Sequence, residues 1–147
     1  MYRKILVGVD SSKYAEAALE TGISFAKSFG SELVIVSVYA IPKYPSGRVR
    51  PIGTEEQIDP DVQKALLDML KGYETKAKKE GVNNVETLLI ESVEAVGPAL
   101  VKKAEALGCD AILLGSRGLT GIKRTLLGSV ADYVTEYAHC DTIIVRR

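Results

Sequence analysis

The sequence predicts a single-domain, doubly wound α/β fold, a five-stranded parallel sheet with four helices. Three observations carry that prediction. Runs rich in Val, Ile and Leu recur along the chain, and several lack the alternation of a half-exposed sheet, as strands covered on both faces do. Helical apolar spacing fills the intervals between them. The whole alternation fits into 147 residues, enough for one core without metal or disulfide staples. Strand and helix alternating in so short a chain require parallel strands joined by right-handed crossovers.

The first strand is "ILVGV" (5–9). After Ser12, the residues Ala15, Ala18, Leu19, Gly22, Ile23, Ala26 and Phe29 keep helical spacing, and Gly30 stands where that helix stops. The second strand is "ELVIVSV" (32–38). Residues 40–60 hold four of the five prolines and separate this strand from its helix; a connection of that length reads as a lid or partner surface, or else as a passive tether. From Asp59, a stripe of Val62, Ala65, Leu66, Met69, Leu70, Tyr73 and Ala77 continues to Gly81. The third strand is "VETLLI" (85–90), and the third helix carries Pro98 in its first turn and runs through Val101, Ala104 and Leu107 to Gly108. "AILLG" (111–115) is the fourth strand, a fourth helix spans Ser129 to about Tyr137, and "TIIV" (142–145) is the last strand.

Composition narrows the function. With 19 basic and 19 acidic side chains and no Trp, the chain has no long-range field to gather nucleic acid or an anionic membrane, so charge recognition must be local. No run approaches the roughly 18 apolar residues of a spanning helix. The opening "MYRKILVGVD" does not resemble an export signal, and two cysteines make no framework, so a reducing cytoplasm is the expected location.

Ligands in this architecture bind beyond the carboxyl ends of the strands, where the strand order reverses. There the sequence places "GSRGLTGIKRTLLGS" (115–129), four glycines in fifteen residues. A helix start carries unpaired N–H groups and partial positive charge, so the entry to the fourth helix is an anion seat, with Ser129 as its expected cap. Glycine at 115, 118 and 128 permits positive φ and close approach to a phosphate, and Arg117, Lys123 and Arg124 supply charged donors. The plainer alternative is that these glycines serve only a turn and a helix entry. Neither GxxxxGK[ST] nor GxGxxG is present. Asp10 ends the first strand, where its carboxylate either accepts ribose hydroxyl protons or serves the start of the first helix.

The spacing Gly115-x2-Gly118-x9-Gly128-Ser129 resembles the ATP-binding signature of the universal stress proteins. The resemblance extends through "ILVGVDSS", "CDAILLGSRG", "LLGSVADYV" and "HCDTIIVRR" over essentially the whole chain. It implies a sheet in the order 3-2-1-4-5 and a homodimer joined partly through the last strand, 142–146. It implies ATP as ligand, with Asp10 at the ribose and adenine end and the backbone of Val9 and Val38 framing the base. Gly115, Gly118, Gly128, Ser129 and Val130 would hold the phosphates, with Leu114 and Arg117 in the same binding set. The chain departs from the family in "IESVEAVGPAL", where the glycine ahead of the third helix comes later, as Gly97, which leaves the wall near Ser92–Ala95 open.

Other chemistry is disfavoured by position. His139, the sole histidine, precedes the last strand at the amino end of the sheet, roughly 15 Å from the glycines at 3.3 Å per strand residue, too far for a base. Cys109, His139, Cys140 and Asp141 lack zinc-finger spacing. Cys109 and Cys140 precede neighbouring strands, as a disulfide or as two buried thiols. "KGYETKAKKEG" interleaves acids with its lysines and reads as a solvated face, and Tyr133 and Tyr137 are spaced to pack together on one helix.

The expected function is therefore a nucleotide-dependent regulatory protein of the stress response, binding ATP with Mg²⁺ or Mn²⁺ bridging the phosphates and hydrolysing it slowly. Two alternatives stand beside it. One is an enzyme acting on adenine nucleotides through Asp10 and a metal, a phosphohydrolase or nucleotidyl-transfer enzyme; the other is a dimerisation module that binds no nucleotide.

Overall fold

The computed structural model describes residues 2–41, 58–117 and 128–146. In chain order the elements are β1 (Lys4–Gly8), α1 (Lys13–Phe29), β2 (Glu32–Ala40), α2 (Pro60–Lys79), β3 (Val85–Ser92), α3 (Val96–Leu107), β4 (Ala111–Gly115), α4 (Ser129–Tyr137) and β5 (Asp141–Val145). All five strands are parallel, in the order β3-β2-β1-β4-β5.

The two-residue period of the strands divides the core into two layers. Ile5, Val7, Leu33, Ile35, Ala111 and Leu113 face α1 and α2; Leu6, Val34, Val36, Ile112 and Leu114 face α3 and α4. The central strands β1, β2 and β4 are therefore apolar on both faces, which explains their unbroken Val/Ile/Leu runs. Each fully buried branched side chain contributes roughly 1.5–3 kcal/mol.

Local chemistry sets the helix ends. Ser12 caps α1, its Oγ accepting from Ala15 N–H at 3.2 Å, and Asp59 caps α2 by accepting from Asp61 N–H at 2.8 Å ahead of Pro60. Gly30 and Gly108 close α1 and α3 at φ 66° and 69°, a left-handed conformation that a Cβ disfavours. Pro98 lies in the first turn of α3, as expected.

Pairing shifts several strand boundaries. β2 and β3 run on to Ala40 and Ser92 because the ladder continues through Tyr39↔Glu91 and Ala40↔Ser92, a backbone effect indifferent to the polarity of Glu91. The apolar stripe of α2 buries only Leu70 and Ala77 fully, and Val62 in its first turn stays 39% exposed. Most of the 40–60 connection, residues 42–57, lies outside the described residues. Cys109 and Cys140 are both free thiols. Cys109 is buried, and desolvation pushes its thiol up to about 11. Tyr133 and Tyr137 pack together as their spacing predicts, with ring centroids 4.5 Å apart and the ring planes tilted by 34°.

At the amino end of the sheet, one carboxylate oxygen of Asp110 accepts the N–H groups of Arg3 at 2.7 Å and Lys4 at 2.9 Å. These bonds favour the ionised form and hold the carboxyl below its ordinary value. A depressed folded-state pKa means stability that is present above the unfolded value and lost as pH falls through the folded one. The parent should therefore lose melting temperature more steeply than Asp110→Asn below about pH 4, the ordinary Asp range. Parallel melting curves for the two proteins over that window would contradict this.

Candidate functional site

β1 pairs with β2 on one side and β4 on the other. The chain leaving β1 enters α1 in one layer, and the chain leaving β4 returns through α4 in the opposite layer. The two connections diverge and open a crevice over the carboxyl ends of both strands, the position expected for a doubly wound sheet.

The described residues around it enclose a cavity of about 170 Å³. Strand ends supply Gly8, Val9, Val36, Val38, Leu114 and Gly115, and α3 supplies Val96 and Leu100. The starts of α1 and α4 add Ala15, Gly128, Ser129, Val130 and Ala131. Asp10, Arg117 and Ser129 are the residues with polar side chains in this largely apolar lining. Few polar groups converging on an apolar cleft is the usual make-up of a small-molecule site.

Asp10 combines the two roles open to it from sequence. Its Oδ1 accepts the N–H of Ser12 at 2.8 Å, fixing the turn into α1, while the carboxylate lines the crevice. The other oxygen makes no hydrogen bond to another described residue. On the far side of β1, burial and then the carboxylates of Glu16 and Asp10 push the phenol of Tyr73 up, so the charge of Asp10 is felt as far as α2.

The two ends of the glycine segment are held together by main-chain bonds. Gly128 N–H donates to Ser116 O at 2.7 Å, and Ser116 N–H donates to Val145 O at 3.0 Å. The cap of α4 corrects the sequence expectation. Gly128, not Ser129, is the N-cap, and as a glycine it brings no side chain to the helix start. Ser129 is the first helical residue and is exposed, and the first-turn N–H groups carry the helix's partial positive charge beside the crevice.

The reason for glycine also differs from the expected one. Gly128 has φ −60°, and Gly115 is not among the described glycines with positive φ, so neither needs left-handed freedom. At Gly115 the constraint is steric: a Cβ would stand 2.6 Å from the carbonyl oxygen of Tyr14 and 2.8 Å from its carbon. The bare Cα of Gly115 is occupied by the first turn of α1.

Nine of the sequence-derived residues meet at this crevice: Val9, Asp10, Val38, Leu114, Gly115, Arg117, Gly128, Ser129 and Val130. Gly118, Lys123 and Arg124 lie outside the described residues. The wall that the sequence leaves open near Ser92–Ala95 is lined by Val96 and Leu100 of α3, whose i, i+4 spacing puts both on one helical face. Gly8 and Val36 were missed because they read simply as strand residues. His139 lies before β5, at the opposite end from Val145, which pairs with Gly115. Among the described residues no cluster of His, Cys, Asp and Glu is arranged to hold a metal ion, and no helix is long and apolar enough to cross a membrane.

Comparison with known proteins agrees with this geometry. A protein named as a universal stress protein in Staphylococcus haemolyticus is 35% identical over 146 residues, spanning 99% of this chain and 85% of the relative. A universal stress protein solved in complex with cAMP superposes with TM-score 0.73 at 23% identity, covering 99% of this chain and 97% of the other. The universal stress protein from Archaeoglobus fulgidus in complex with dAMP gives TM-score 0.72 at 24% identity, with 97% of each chain covered. The profile of the universal stress protein family matches residues 1–146, and with the strand order, the crevice and these relatives in agreement, the chain belongs to that family.

Proposed function

We propose that this protein binds an adenine nucleotide in the crevice between β1 and β4 and serves as a nucleotide-dependent regulatory protein of the stress response. The observation that carries the reading is the polarity of one continuous crevice. Its apolar stretch, with Val36, Val38, Val96 and Leu100, suits a base, and Asp10 has an oxygen bonded to no other described residue to offer ribose hydroxyls. Arg117 and the start of α4 behind the N-cap Gly128 suit phosphate. The complexes of relatives with cAMP and dAMP support the adenine choice.

ATP is the proposed physiological ligand, with Gly118 completing the phosphate seat beside Gly115, Gly128, Ser129 and Val130. Mg²⁺ or Mn²⁺ would be held by phosphate oxygens and water, because Asp10 is the one carboxylate among the described lining residues. A second copy is proposed to join along 142–146, at the edge strand β5, whose Thr142, Ile143 and Ile144 are half-buried in the single chain. We place the protein in the cytoplasm on its free thiols.

Thermal denaturation with and without nucleotide tests the reading. ATP or AMP at about a hundred times its dissociation constant should add roughly 2.7 kcal/mol of stability, and Gly128→Val should abolish the response. A melting curve indifferent to both nucleotides would refute it. Steady phosphate release on the order of 1 per second would instead establish an enzyme.

A further inference from the structure

Gly8 lies in the crevice yet plays no part in the glycine motif. It is buried in β1 with backbone in the ordinary strand range, so neither a turn nor a positive φ accounts for it. What a side chain would meet does account for it. A Cβ at Gly8 would stand 2.6 Å from Leu114 Cδ2 and 3.2 Å from Leu100 Cδ1. Both leucines line the crevice, and both are at least 95% buried. Their methyl groups lie down over the bare Cα of Gly8.

We propose that Gly8 sets the depth of the crevice, and so decides whether a two-ring purine base fits it; the proposal rests on the nucleotide reading above. Any Cβ at this position must displace the two leucine tips. They share one buried cluster with Leu6, Val34, Ile112 and Val134, and interior packing density leaves little room to yield into it. The open direction is the crevice itself. The added methyl is thus converted into lost depth against the base, while the flexible side chains absorb the clash without moving the backbone. A one-ring pyrimidine, which needs less depth, loses less.

Calorimetric titration of the full chain with AMP and with CMP tests this. Gly8→Ala should bind AMP about tenfold more weakly, the scale of one misplaced methylene in an apolar pocket, lose less for CMP, and keep the parent's melting temperature without ligand. Gly8→Ala/Leu114→Val adds one carbon and removes another from the contacting side chain, and should recover most of the AMP affinity. Gly8→Ala binding AMP as tightly as a binding-competent parent overturns the inference and leaves the nucleotide reading standing, as does an equal loss in the single and double variants. A parent that binds neither AMP nor ATP overturns the nucleotide reading itself, and this inference with it.

Discussion

Replacing Gly115 by alanine is expected to destabilise the protein by about 2–3 kcal/mol, the upper range for overpacking a close contact, and to lower its melting temperature by roughly 5–10 °C. The two nearest atoms in the way are main-chain ones, and the third is a Cβ fixed to the main chain. The new Cβ would fall within 2.9 Å of the carbonyl oxygen, carbonyl carbon and Cβ of Tyr14, so relief requires moving the first turn of α1, and no side-chain rotation suffices. That turn carries Ala15 at the crevice and ends the segment in which Asp10 is tied to Ser12, so nucleotide affinity should fall together with stability. The same change at Gly72 is the control. Gly72 lies in exposed α2 with nothing within 4 Å of its added Cβ, and Gly72→Ala should stabilise by up to about 1 kcal/mol. A Gly115→Ala protein melting with the parent would show that β4 and α1 are not held together as described.

Asp10→Asn is expected to leave the fold intact and to weaken AMP binding by about 10- to 100-fold, the scale of losing hydrogen bonds to a charged acceptor. Asparagine keeps a carbonyl oxygen to accept from Ser12 N–H, so the entry to α1 is retained. What disappears is the charge and the second acceptor of a residue that lines the crevice. A 2′,3′-dideoxy nucleotide, lacking the hydroxyls assigned to Asp10, should bind parent and variant alike. An equal loss for AMP and its dideoxy analogue would show that Asp10 acts on the structure of the site and not on ribose, and an Asp10→Asn protein with parental AMP affinity would remove Asp10 from the site.

The features legible in the sequence were those encoded by near neighbours. Ser12 and Gly30 bound α1 as their side chains and backbone freedom required, and the helix from Ser129 to Tyr137 has its expected span. Asp10 was legible because a carboxylate at the end of an apolar run stands out against its neighbours. The strand order came from resemblance to a family and not from periodicity, which identifies strands without ranking them. The cap of α4 was misassigned because Gly128 and Ser129 both suit that position, and the choice depends on the bond from Gly128 to Ser116.

By itself, then, the sequence determined a parallel sheet, its alternation with helices, and the rim on which a ligand would sit, since periodicity and turn chemistry act over a few residues. Only the tertiary structure decided why Gly115 and Gly8 are glycines and which helix closes the second wall. Tyr14 meets Gly115 across 101 positions of sequence and Leu100 meets Gly8 across 92. Such encounters depend on how whole layers stack, and the steric exclusion that demands a bare Cα exists only once the distant chain has arrived.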